Sequence, residues 1–358
     1  MGRRLDKWRW AGPVTVVVAA LGGGQGCASC QQRAVCSQVG INNPENRTLR
    51  RQILSFGTSE TCKEMLSRNA PLKLAEDAPV IGRFFPRNCV HQELPNGNIV
   101  IQFDGEGYAW TNMSRKLTFA TGARIEYAPD FRCSSDDAIY AYFPTRNVER
   151  SQFNLRQLEV SSVAGGFLSG WVNPVAETFG RQLFVGKLGE GFTVIRDTNQ
   201  DIEFGVGIIP VGQHPQRPFR LSTDAKRTYE NARADVHQNQ RDFIGPIVVK
   251  ESGQALYLTA SVDGTPAVDL FVYARDEADP AIRAYIDSVQ ALPMPPSRTL
   301  NDVVIAGRPY RRTVPVKTGT YYVVFDNTPT AGPTMPPTHL LDDRAATISY
   351  AVQVGDAP

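Results

Sequence analysis

The spacing of apolar positions changes along this chain. Across "NNPENRTLRRQILSFG" it is helical: Leu49, Ile53 and Phe56 share one face, with Asn43 as N-cap, Pro44 at the first helical position and Gly57 as terminator. A second helix follows. Thr61 and Glu64 form a capping box, and Cys62, Met65 and Leu66 make its apolar face before Asn69 and Pro71 stop it. The pair predicts a short helical hairpin.

From about residue 79 the period is two. "HQELPNGNIVIQF" predicts a hairpin with Asn96-Gly97 in the turn and Ile99, Ile101 and Phe103 on one face. "DGEG" at 104–107 predicts a second turn, into "YAWTN", and short strands continue in "ARIEY", "AIYAYF" and "LRQLEVSS" as an antiparallel meander. Asn173-Pro174 then opens one long helix over 174–188. Val175, Phe179 and Leu183 with Ala176, Phe184 and Leu188 form its broad apolar stripe, and "GFTVI" and "IEFGVGII" return to strand. The plain use of that stripe is to plug the core face of the sheet. The sharper use is a groove in which Val175, Phe179, Leu183, Phe184 and Leu188 hold an acyl chain or other hydrophobic ligand.

Residues 211–240 read as a linker. "VGQHPQRPF" carries two prolines, and the polar run "STDAKRTYENARADVHQNQRD" suits a solvated helix or an edge strand. Beyond 241, "GPIVVKE", "ALYLTASV", "AVDLFVYA", "YRRTVPV", "TYYVVFDN" and "AATISYAVQV" predict a β-sandwich in which only "DPAIRAYIDSVQ" looks helical. The fold class is mainly β, of the α+β kind. Its parts are a tether and helical hairpin over 27–75, a sheet with one helix over 76–210, the linker, and a sandwich over 241–358.

Composition adds bounds rather than chemistry. With 38 basic against 36 acidic residues, interspersed, and no basic block, nucleic acid is not an expected partner. The start is more informative. Arg3, Arg4, Lys7 and Arg9 precede the uncharged run "AGPVTVVVAAL", too short to span a bilayer, so residues 1–26 read as a signal peptide. Cleavage has three readings: before Cys27, which follows "GQG"; before Cys30, which follows "CAS"; or ordinary cleavage after Gly26 or Ala28. The segment resembles the signal of bacterial lipoproteins over about 30 residues. Cys27, nearer the apolar core, is the favoured lipid anchor. A multiply acylated cysteine, at ~0.8 kcal/mol per buried methylene, would hold the protein on a membrane of the cell envelope. Without it the protein would be secreted or periplasmic.

All six cysteines precede residue 134. In an exported chain Cys36, Cys62, Cys89 and Cys133 are expected to form two disulfides, in any of three pairings. With Cys30 as the anchor no thiol is left over, whereas Cys27 leaves one. "CASC" lacks the second pair or histidine that zinc would need.

"GTYYVVFDN" at 319–327 and "ATISYAVQV" at 346–354 are similar to the end of the GOLD (Golgi dynamics) domain. "IVVKESGQALYLTASVDGTPAVDLFVY" matches its strand order, so the resemblance covers roughly residues 243–354. Residues 328–345 are longer and richer in proline than the usual joining segment, and 276–308 look like an insertion. The resemblance implies a sandwich that binds proteins or lipids at membranes, without chemistry. The order of meander, helix and "GFTVI" strand loosely resembles the superhelical lipid-binding modules of membrane-associated proteins.

Catalytic and metal signals are weak. His91, His214, His237 and His339 lack ligand spacing, "GFLSG" has its serine one place off a nucleophile elbow, and "DTNQDIE" reads as a polar hairpin turn, lacking the glycine and glutamate of a calcium loop. No cofactor is implied. The expected function is an exported, lipid-anchored, non-catalytic envelope protein that binds a hydrophobic ligand or lipid. The alternative is a structural lipoprotein docking to envelope protein partners, and an enzyme of unrecognised class comes third.

Overall fold

Asn96-Gly97 makes a hairpin turn in which Gly97 takes a φ of +87°, a left-handed conformation that glycine adopts without cost. The turn sets the register of β2 (Val80–Glu93) on β3 (Ile99–Trp110), with Glu93 opposite Ile99. A computed structural model describes residues 28–46, 54, 62, 65–75, 77–110, 115–159, 189–198, 202–221, 225–288, 292–336 and 345–358. The helix expected over 174–188, most of the hairpin expected over 44–69, and Cys27 lie outside these residues.

The architecture is mainly β. The meander continues through β4 (Lys116–Tyr127) and reaches β7 (Thr145–Leu158), while β1 (Ala70–Lys73) lies against β2. "DGEG" is not a turn. Asp104, Gly105, Glu106 and Gly107 lie inside β3, and the glycines serve packing. A Cβ on Gly105 would stand 2.7 Å from the Phe84 ring, and one on Gly107 would stand 2.7 Å from the Phe119 ring. Two glycines on the inner face let those rings lie flat against the strand.

A small sheet covers that inner face, in the order β5 (Asp130–Cys133), β6 (Ile139–Phe143), β8 (Phe192–Arg196) and β9 (Ile202–Val206). Phe143 stacks on Phe192 at 4.4 Å between ring centres, and both meet Tyr127 of the meander edge-on. Strands β8 and β9 pair antiparallel from Arg196 opposite Ile202, while Asn199, Gln200 and Asp201 of "DTNQDIE" lie outside the described residues. Helix α1 (Ala28–Cys36) is pinned to this sheet by the Cys36–Cys133 disulfide and by Gln32 Nε2, which donates to the carbonyls of Asp137 and Arg196. The second disulfide, Cys62–Cys89, ties the segment before β1 to β2. Of the three pairings open to the sequence, the chain makes this one. Two disulfides mark an oxidising, exported compartment. Among the described residues no helix is long and apolar enough to cross a membrane.

The segment 211–240 is only half a connection. Lys226–Val236 is strand β10, and it sits in the middle of a nine-stranded sheet ordered β15-β12-β17-β10-β2-β3-β4-β7, with β1 beside β2. Here β12 is Gln254–Asp263, β15 Tyr310–Pro315 and β17 Ala346–Asp356. The strand looks polar because its buried face is made of Ala232, Ala234 and Val236, small residues that leave a weak alternation, broken further by a bulge between Thr228 and Glu230. It pairs with β17 along its length and touches β2 through one parallel bridge, Ala234 to Val80. Meander and sandwich therefore share one sheet.

The other layer of the sandwich is β11 (Gln240–Val249), β16 (Gly319–Asn327), β13 (Ala267–Ala274) and β14 (Leu300–Ile305). Tyr321, Val323 and Phe325 alternate into the core between the layers, against Leu256, Leu258, Tyr350 and Val352. Each fully buried side chain of this size contributes about 1.5–3 kcal/mol. Helix α2 (Arg275–Ile286) closes the outer face of that layer with Ala278, Ile282, Tyr285 and Ile286, a stripe at helical spacing. It starts before "DPAIRAYIDSVQ", at Arg275. Phe85 and Tyr108 of the meander join the same cluster.

Candidate functional site

The meander has a second face. In β3 and β4 the residues that alternate with the core positions are Asp104, Glu106, Ala120 and Gly122, and in β7 they are Gln152, Asn154 and Arg156. Register sets them in rows: Asp104, Gly122 and Gln152 lie side by side, as do Glu106, Ala120 and Asn154. The middle strand carries almost no side chain, so a shallow trough of about 230 Å³ runs between walls of polar groups. Gly122 keeps the floor low. A Cβ there would stand 3.1 Å from the Phe103 carbonyl and 3.2 Å from Asp104 Cβ.

One end is held by charge. Arg87 Nε donates to Glu106 Oε1 at 2.9 Å, and Arg156 Nη1 donates to Glu106 Oε2 at 2.8 Å and to Asp287 at 3.4 Å. On the same wall Asn88 Nδ2 donates to both Asp104 oxygens. Glu106 is 15% exposed, against 36% and 40% for its two arginines, so the carboxylate is held and the guanidinium edges face water. A second cleft of about 260 Å³ lies at the end of the sandwich, lined by Arg227, Lys250, Glu251 and Asp356 among others. Both are smaller than the roughly 300–1,000 Å³ of pockets that enclose a small molecule.

A separate side-chain chain lies on the small sheet. Glu203 Oε2 is 3.1 Å from His214 Nδ1, and His214 Nε2 is 3.3 Å from the Tyr140 hydroxyl, while Arg217 pairs with the other Glu203 oxygen. The carboxylate orients the imidazole, but the chain ends at a phenol. Burial raises Tyr140 above its ordinary value, so it remains a hydrogen-bond donor rather than a nucleophile. Ser134 is turned to Asp136 instead of to His214. His237 stacks on Trp110 at 3.7 Å. Among the described residues no group of three His, Cys, Asp or Glu side chains could hold a metal ion.

The deepest polar cluster joins the two halves of the molecule. Arg83 of β2 is fully buried and donates to Asp242, Glu230, Asn69 and Tyr350, while Tyr108 also donates to Asp242. Lys116 is buried against α2: its ammonium lies 3.4 Å from the Tyr285 ring centre and donates to the carbonyls of Tyr285 and Ser288 at the helix end. Asp326 pairs with Arg241 and accepts from the Thr328 amide and hydroxyl. Arg83, Lys116, Arg241, Asp242 and Asp326 are buried and serve assembly.

Of the residues expected to contact a hydrophobic ligand, Val175, Phe179, Leu183, Phe184 and Leu188 lie outside the described residues. The trough was missed in the sequence because its parts come from four strands. The available signal was the small pair Ala120 and Gly122 on the outer positions of "KLTFATGARIEY". No model of a known protein family matches the chain, and no characterised protein matches it.

Proposed function

We propose that the protein is an exported, lipid-anchored component of the cell envelope that acts by binding and performs no chemistry, with the open polar face of the meander as its recognition surface. The trough over Ala120 and Gly122 carries this reading. There the polar side chains of Asp104, Glu106, Asn154 and Arg156 flank a floor on which Ala120 and Gly122 leave almost no side chain. Cys27 is the proposed anchor, and the two disulfides agree with export. The GOLD-like sandwich serves as a rigid mount, since its sheet runs directly into the meander.

The test uses the full chain in a bacterial host. Cys27→Ser is expected to release the protein from membranes and abolish palmitate labelling; unchanged labelling would move the anchor to Cys30, and an unlabelled parent chain would remove it. A photo-reactive residue at Asn154 is expected to cross-link to an envelope component that the same residue at Arg311, on β15, does not reach. Equal or absent cross-linking at both would sink the recognition surface. A stoichiometric lipid in solvent extracts of detergent-free protein, lost on Phe179→Asp, would instead place the ligand on the 174–188 stripe.

A further inference from the structure

We propose that the trough binds a neutral, polyhydroxylated polymer, a stretch of uncharged glycan lying along β4. This rests on the reading of the trough as the recognition surface, and names its ligand.

Shape comes first. Two inter-strand spacings separate the walls on β3 and β7, roughly 10 Å. The trough is open along the strand and, at about 230 Å³, too small to enclose a ligand. It fits something that lies across it and continues beyond. A sheet face offers side chains, whereas an extended peptide draws its affinity from backbone pairing at a sheet edge. The face therefore favours a ligand whose own groups meet side chains.

Charge narrows the class. Arg87 and Arg156 are matched by Asp104 and Glu106, and Asp287 stands at the rim. A polyanion would meet these carboxylates and a polycation would meet the two guanidinium groups. Neither is favoured, and a neutral ligand is. Each hydroxyl of a sugar both donates and accepts. The walls supply both: carboxylates that accept, amides that do either, and guanidinium N–H groups that donate. Among the described residues Arg156 Nε and Nη2 and Arg87 Nη1 have no protein acceptor. Because Glu106 already fixes both arginines, those donors are held in place before a ligand arrives.

The experiment takes the intact, disulfide-bonded chain and titrates it with maltohexaose, cellohexaose, mannohexaose and chitohexaose, with dextran sulfate and polylysine as charged controls. At least one neutral hexamer is expected to bind, with little response to added salt. Arg156→Ala and Asn154→Ala are each expected to weaken it by about tenfold, the loss of one or two hydrogen bonds. Ala120→Trp, which fills the floor, is expected to abolish binding with the thermal midpoint of each variant within a few degrees of the parent. Absence of binding to every neutral hexamer, or binding that ignores all three variants, overturns the proposal. If Arg156→Ala and Ala120→Trp lose the envelope cross-link from position 154 while no hexamer binds, the ligand class falls and the recognition surface stands. If they change neither, both fall.

Discussion

Arg83 and Asp242 stand 159 positions apart in the chain and meet as a two-point fork, Nε to Oδ1 at 2.6 Å and Nη2 to Oδ2 at 2.8 Å. Glu230 closes on the same guanidinium from β10, with Nη1 to Oε2 at 3.0 Å. Removing the cation leaves two carboxylates in the interior with the Tyr108 and Tyr350 hydroxyls but without the charge that neutralises them. Arg83→Met is expected to cost about 3–5 kcal/mol in urea unfolding at neutral pH. Adding Asp242→Asn and Glu230→Gln should recover part of it, because no uncompensated charge then remains. A loss below 1 kcal/mol in the single variant would show that the fork contributes little.

The same cluster shapes the acid limb. Burial alone would raise Glu230, but the Arg83 charge and hydrogen bonds from Arg83 and Tyr350 hold it below the ordinary carboxylate value. Its contribution is present above the unfolded value of 4.5 and is lost as pH falls through the folded value. Glu230→Gln should flatten this part of the stability profile. A parent profile that does not fall in acid faster than that of the variant would contradict the linkage.

Lys116 works in the opposite range. Burial, aided by the Arg241 charge and opposed by Glu159, lowers its ammonium from 10.5 to about 7. Between those values the unfolded chain binds more protons than the folded one, so this residue makes stability rise with pH from about 7 to 10.5. Lys116→Met is expected to remove that rise, measured by urea unfolding at intervals across the window. An unchanged slope would mean that the Tyr285 ring and the two helix carbonyls keep the ammonium charged throughout.

The two disulfides close loops of different length, 97 and 27 residues. In the chain-entropy account they stabilise by about 4.7 and about 3.6 kcal/mol. Replacing Cys36 and Cys133 together by serine should therefore destabilise more than replacing Cys62 and Cys89 together. The reverse order would indicate that native contacts around the shorter loop outweigh the entropy term.

Gly107→Ala should be poorly tolerated. Its Cβ would stand 2.4 Å from the Arg83 carbonyl and 2.7 Å from the Phe119 ring. Forcing a methyl into that space costs about 1–3 kcal/mol. Gly189→Ala meets nothing within 4 Å and serves as the control. Equal melting temperatures for the two variants would show that β3 and β4 can part without penalty.

Local pattern carried much of the fold. Asn96-Gly97 set one hairpin, and Tyr321, Val323 and Phe325 announced the sandwich core through simple alternation. Where a residue's role depends on a distant strand, the pattern misled. Gly105 and Gly107 have the composition of a turn, yet they exist for the Phe84 and Phe119 rings. Lys226–Val236 looks solvated because its charged Glu230 is neutralised by Arg83, 147 positions away. The arginine itself was visible as the lone charge inside "VIGRFF", a hint that it is buried and paired. The trough was the least legible feature, since it is defined by what Ala120 and Gly122 lack.

The position of β17 bears on the order in which the molecule can assemble. This strand fills the space between β12 and β10, pairing with each over about ten residues. A chain threaded through a membrane from its N-terminus would deliver the meander first and Ala346–Asp356 last. Until those residues emerge, β10 and β12 lack the strand that lies between them in the sheet. Completion is thereby coupled to full translocation, and a chain stalled short of residue 346 would present two open strand edges to the quality-control proteases of its compartment.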